Sequence, residues 1–149
     1  MTRRPARILP DSSCLVAAVC EWHERHTPTA AELNRRLARG ERLLLAAPAL
    51  VETYAVLTRL PAPHRLSARD ARDLLEASFL HQGILVTLDA AGYRAQLRDW
   101  PDRDVVGGQV YDAVILACAV KGRADVLLTL NPRHFQALGE HGVEILVPA

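Results

Sequence analysis

Ala6-Arg7-Ile8-Leu9-Pro10-Asp11-Ser12-Ser13 is the stretch from which the rest of the chain can be read. A short apolar run ends in an acid, and the acid and the serines after it carry side chains that satisfy the orphan backbone donors of a helix start. The pattern predicts a strand over 6–10 and a helix from about Ser12 to Arg25. The same grammar recurs. Leu43 to Ala46 is a second apolar run, and Pro48 follows where its missing N–H costs nothing, opening a helix to about Leu60. Ile84 to Leu88 is a third, with Asp89 as cap for a helix to about Trp100. Asp125 to Thr129 is a fourth, before a short helix from Pro132 to Leu138, and Val143 to Val147 is a last strand.

Between these lie further helices: Thr29 to Gly40, with Thr29 as cap, and Ser67 through about His81, after a Pro61-Ala62-Pro63 turn and ended by Gly83. Pro101 to Gly108 reads as a charged loop. Gln109 to Lys121 is almost entirely apolar, so it predicts a deeply buried helix whose exception is Asp112. Strands alternating with helices imply parallel strands joined by crossovers. The expected fold is α/β: a three-layer sandwich with a central parallel sheet of about five strands flanked by helices.

A chain of 149 residues, half of them hydrophobic, is the size of one ordinary domain, and residues 1–149 are read as one. Charged residues interrupt every apolar run well short of the roughly 18 to 20 positions that a spanning helix needs. Arg3, Arg4 and Arg7 precede an apolar segment too short for a secretory signal, so a cytoplasmic protein is expected, with no membrane association. Cys14, Cys20 and Cys118 lack zinc spacing and read as buried thiols. The net charge of +1 carries no global nucleic-acid signature. Arginines cluster at Arg35, Arg36, Arg39 and Arg42 and at Arg59, Arg65, Arg69 and Arg72. They suit phosphate contacts, but a solvated helix face is the commoner use.

In an open parallel sheet, ligands bind beyond the carboxyl ends of the strands. Asp11 lies just past the first strand and Asn131 just past the fourth, while Glu52 falls one turn into the helix after the second. Asp112 is near the start of the buried helix, where a carboxylate among apolar neighbours is costly without a partner or a metal. Alone, Asp112 also reads as an N-terminal helix acid, Glu52 as a first-turn glutamate and Asp11 as a cap. Together at one sheet edge they are oxygen donors suited to Mg²⁺ or Mn²⁺. Asp125 is excluded, since four strand residues span roughly 13 Å and put it at the opposite end. No nucleophile elbow or Cys–His pair is present.

These pieces, in this order, resemble the PIN-domain ribonucleases, and among them the VapC-type toxins of toxin–antitoxin pairs. The resemblance rests on the strand ending in Asp11-Ser12-Ser13, on Pro48-Ala49-Leu50-Val51-Glu52, on Tyr111-Asp112-Ala113 with its small-residue run, and on Ala124 through Thr129-Leu130-Asn131-Pro132-Arg133-His134-Phe135. It covers nearly the whole chain. It implies that Asp11, Glu52 and Asp112, assisted by Asn131, hold one or two Mg²⁺ or Mn²⁺ ions. Asn131 departs from an acidic position of the family, which removes one negative charge and should weaken cation binding. Ser13 and Thr129 match positions that orient a carboxylate or water; their plainer reading is capping. Arg133 is a candidate RNA contact, and His134 and Phe135 are expected to pack or cap.

The resemblance further implies cleavage of structured RNA such as tRNA or ribosomal RNA, with 3′-hydroxyl and 5′-phosphate products. It implies a homodimer and a cognate antitoxin docked on the helical hairpin from Pro48 to His81. Two alternatives stay open at this point: a stand-alone PIN nuclease in RNA or DNA processing, and a catalytically silent PIN-like binding module.

Overall fold

The computed structural model describes residues 4–139 and 141–149. Five strands form one sheet: β1 (Arg7–Pro10), β2 (Arg42–Ala46), β3 (Ile84–Val86), β4 (Val126–Leu128) and β5 (Glu144–Leu146), in the order β3-β2-β1-β4-β5. Every adjacent pair is parallel. The chain therefore winds outward from β1 to β3 and then returns to pair β4 against the other side of β1. The reversal opens a crevice between the carboxyl ends of β1 and β4, where Asp11 and the segment Thr129–Asn131 emerge.

Among the described residues seven α-helices connect the strands: α1 (Ser12–Val19), α2 (His26–Ala38), α3 (Ala47–Arg59), α4 (Ala68–Leu75), α5 (Ala90–Asp99), α6 (Gln109–Lys121) and α7 (Pro132–Gln136). Helix α1 packs on α2 and α3, and α6 packs on β2, β3 and α7. The central strands are buried on both sides, with Ile8, Leu9, Leu45 and Leu127 fully inaccessible, as a sheet covered on two faces requires. Phe135 fills the core under α7. All three cysteines are free and buried, and burial raises each thiol pKa, so none is a nucleophilic thiolate.

Local signals set several boundaries as expected. Asp89 accepts from Gly92 N at 2.8 Å and Ser67 from Asp70 N at 3.1 Å, each capping its helix. Gly83 lets the chain pass Leu45 where a Cβ would collide with its side chain. Other boundaries differ. The first helix stops at Val19 rather than Arg25, because the apolar run ends at Cys20 and Pro28 must sit in the first turn of the next helix. That next helix begins at His26, so Thr29 is a buried interior residue and not its cap. Helix α4 continues through a π-helical turn, Glu76–Leu80. The expected loop after α5 starts as a 3₁₀ turn, Trp100–Arg103. Among the described residues no helix is long and apolar enough to cross a membrane.

Candidate metal centre

Asp11 is a buried acid held by three donors. Only 3% exposed, it follows β1, and its backbone N–H extends the β1–β4 ladder by donating to Leu128 O at 2.9 Å. Its Oδ1 accepts from Ser13 Oγ at 2.6 Å and from Cys14 N at 3.0 Å; its Oδ2 accepts from Thr129 Oγ1 at 2.6 Å. Each hydroxyl is itself held by the loop after β4, Ser13 Oγ accepting from Leu130 N at 3.0 Å and Thr129 Oγ1 from Asn131 N at 2.9 Å. A hydroxyl that accepts an amide proton points its own proton elsewhere, here at the carboxylate. The network stitches the ends of β1 and β4 together and leaves a lone-pair site on Oδ2 uncommitted.

Glu52 is exposed on the first turns of α3, and Asp112 is half-buried in the first turn of α6. Both line the same cleft as Asp11, Ser13 and Asn131, a space of about 370 Å³. Burial raises the pKa of Asp11, opposed by its three donors and reinforced by the charge of Asp112. Burial likewise raises Asp112, with Glu52 adding to the rise and His134 opposing it. Carboxylates that repel one another in a partly desolvated cleft favour either a proton or an external cation. The side chain of Asn131 makes no hydrogen bond among the described residues, although the residue precedes α7 in the capping position.

His134 departs from expectation. It neither packs nor caps: it lines the cleft, and its Nδ1 lies 3.3 Å from Asp112 Oδ2. Its place one turn into α7, beside Asn131, was the available signal, but α6 had to be positioned before the contact could be seen. Val16, His23 and Val56 also line the cleft and carried no signal in the sequence, and Tyr111, quoted there only as the neighbour of Asp112, lines it too. Tyr111 is largely exposed, so Asp112 is less enclosed than its apolar neighbours suggested. Arg133 is exposed on α7 and does not line the cleft. Much of the first arginine cluster is consumed internally, Arg35 and Arg36 pairing with Glu32, and Arg36 and Arg39 with Glu41. Asp125 sits at the far end of β4, paired with Arg4.

The donor set fits a hard divalent cation in kind, being carboxylates with one amide oxygen and a free lone-pair site on Asp11. Among the described residues, no three His, Cys, Asp or Glu side chains yet converge to hold one.

Comparison with known proteins agrees with this architecture. A family model described as PIN domain matches residues 8–140. Ribonuclease VapC40 of Mycobacterium tuberculosis is 36% identical over 142 residues, spanning 93% of this chain and 96% of that protein. Ribonuclease VapC27 of the same species is 32% identical over 139 residues, spanning 93% and 95%. Among solved structures, VapBC2 from Rickettsia felis bound to a DNA fragment from their promoter superposes with a TM-score of 0.67 at 14% identity, covering 95% of this chain and 98% of that one. The sarcin-ricin loop cleaving toxin VapC20 of M. tuberculosis gives 0.66 at 18% identity, covering 92% and 98%. At such identities the structural likeness speaks for the fold, while the family model and the ribonuclease relatives span nearly the full length, and on these the chain belongs to the PIN-domain family, among its VapC-type ribonuclease toxins.

Proposed function

We propose that the protein is a metal-dependent endoribonuclease toxin that hydrolyses phosphodiester bonds in structured RNA such as tRNA or ribosomal RNA, and that a cognate antitoxin restrains it in the cytoplasm. The observation that carries this reading is Asp11: a buried carboxylate given neutral donors on both oxygens, no countercharge among the described residues, and two further acids lining the same cleft. PIN-domain nucleases generally depend on a divalent cation. Here Asp11, Glu52, Asp112 and Asn131 are assigned to hold it, Mg²⁺ or Mn²⁺ being the ions that suit an all-oxygen set. Such a cation, when bound, supplies Lewis acidity that activates water and offsets charge on the phosphoryl oxygens.

The chain's own residues do the positioning. Ser13 and Thr129 fix the plane of the Asp11 carboxylate, the kind of support that sets the geometry of a ligand. Asn131, tied through its N–H to Thr129, presents an oxygen without adding a fourth negative charge. His134 holds Asp112 Oδ2. The described residues hold no thiolate, Cys–His pair or elbow serine; as in the family the chain belongs to, water rather than the ribose 2′-hydroxyl attacks the phosphorus and the 3′-oxygen leaves, so 3′-hydroxyl and 5′-phosphate ends are expected.

Partners follow from exposed apolar surface. On the Pro48 to His81 hairpin, Tyr54 and Leu80 face solvent, supporting it as the antitoxin surface. Between α3, α5 and α6 runs an apolar groove of about 830 Å³ beside Val51, Leu97 and Tyr111, large exposed side chains that a second copy of the chain would cover. Chains 1–149 act as single-domain protomers in this reading.

Purified, antitoxin-free protein is to be incubated with total cellular RNA and Mg²⁺, Mn²⁺ or EDTA, alongside Asp112→Asn, with the new 5′ ends sequenced. Discrete cuts that need metal and vanish in the variant are expected. Identical patterns from two folded proteins would leave the silent binding module in its place.

A further inference from the structure

The cleft does not stop at the acids. It continues between α1 and α3, past Val16 and Val56, to His23. His23 lies in the turn over 20–25 that replaces the expected end of the first helix, and two bonds hold it there: its N–H donates to Cys20 O at 2.9 Å, and its Nδ1 accepts from Arg25 N at 3.0 Å. A neutral imidazole that accepts at Nδ1 carries its proton on Nε2. That donor has no protein partner among the described residues.

Beside it stands Trp22, 47% exposed. Its indole lies against the ring of His64, with centroids 4.4 Å apart and planes inclined by 24°, and the ring of His23 is 6.0 Å from the same indole, tilted by 43°. His64 comes from the loop between α3 and α4, where its N–H donates to Pro61 O at 3.0 Å. Two separate loops thus cooperate to hold one flat aromatic surface beside His23, the cleft residue nearest to it in sequence. Phe, Trp and Tyr make up only 5% of the chain, and one of its two tryptophans is spent here rather than in the core.

We infer that Trp22, stacked on His64, is the platform for an unpaired base of the RNA substrate, with His23 Nε2 donating to the same strand; the inference rests on the nuclease reading above. Unpaired bases stack on aromatic and histidine rings, and every base has a face to offer. From Glu52 to Leu60 helix α3 rises about 12 Å at roughly 1.5 Å per residue, so the platform stands a few nucleotides from the acids. The apolar passage past Val16 and Val56 leads from the acids to His23, whose ring is 6.0 Å from that of Trp22. A strand lying in it has its phosphate at the acids and a base on the indole, which selects RNA unpaired on that side of the cut.

The protein is titrated in EDTA into a short mixed-sequence single-stranded RNA carrying a fluorescein label, as wild type, Trp22→Phe and Trp22→Ala; the label's anisotropy reads affinity for all three, and tryptophan emission reads stacking. Steady-state cleavage with Mn²⁺ follows for all three. Wild-type emission is expected to be quenched, and the quench to be absent from Trp22→Phe, which keeps only Trp100. Trp22→Phe retains a ring and binds within about threefold of wild type, whereas Trp22→Ala binds about tenfold or more weakly, with the loss on KM rather than kcat. Trp22→Ala binding and cutting like wild type would overturn the platform. So would a Trp22→Ala that keeps RNA binding but no longer captures the co-expressed antitoxin, which would give that surface to a protein partner. Quenched, Trp22-dependent binding by a protein that cuts nothing sinks the nuclease reading and leaves the platform standing.

Discussion

Asp11 and Asp125 stand at opposite ends of the same pair of parallel strands, and the fold treats them in opposite ways. Asp125, just before β4, accepts from Arg7 N at 2.8 Å and pairs with Arg4 at 3.3 Å, with nearly half its side chain in water. Asp11, just after β1, is buried, receives two hydroxyls and one amide, and has a second acid as its charged neighbour. The first charge is complete within the protein. The second is aimed and desolvated but not neutralised, so its energy falls only when a proton or a cation arrives. A carboxylate's role is therefore read from what the chain withholds from it as much as from what the chain supplies.

The largest effect should come from removing each charge in turn. Asp11→Asn is expected to lower metal-dependent cleavage by about 100-fold or more, since it removes a charge that positions the cation. Asp125→Asn should stay within about twofold, because exposed pairs contribute little. Steady-state rates on one RNA, with circular dichroism to confirm folding, measure both. Equal losses would erase the distinction between the two ends. A smaller effect sharpens it: Asn131→Asp should tighten Mn²⁺ binding by about tenfold, read by isothermal titration, because it adds a negative charge where the side chain has no hydrogen bond to lose. An unchanged affinity would place Asn131 outside the cation's reach.

How much of this was legible from residues alone depended on range. Helix α6 runs from Gln109 to Lys121 as the apolar run implies, and Ser67 and Asp89 cap the helices they precede, because those signals act within one turn. The π-helical turn after α4 and the early stop at Val19 were not legible, since tertiary packing and the needs of Pro28 overrode the local pattern. The placement of Asp11 opposite Thr129 needs β1 beside β4, a contact across 118 residues. Alternation of strands and helices could only require that neighbourhood. The surroundings of His134 and Trp22 were hidden for the same reason: each takes its place from a carboxylate or ring on a distant element, and the stretch around His134 that carries the family resemblance says nothing of its contact with Asp112.

The smallest effect is on stability, and its sign tests whether the acids are in tension. Asp11 and Asp112 have native pKa values raised above the ordinary 3.8 by burial and by neighbouring charge. A raised acid binds more protons in the native than in the unfolded state, so the stability it contributes is full below the ordinary value and is lost as pH climbs through the raised one. Asp112→Asn removes that loss. In EDTA at neutral pH its melting temperature should exceed wild type by about 2–4 °C, the shift that roughly 1 kcal/mol makes in a domain of this size. Below pH 3.8 the gap should close, as the acid is then largely protonated in both native and unfolded states and as neutral as the asparagine. Added Mn²⁺ should also close it at neutral pH, because a cation stabilises only the form that binds it. Asp125→Asn should show neither dependence, since its charge is already paired and wet. A variant at Asp112 that melts below wild type at neutral pH without metal would mean that His134 already neutralises the acid, and the contrast between the two ends of the strands would then be one of burial alone.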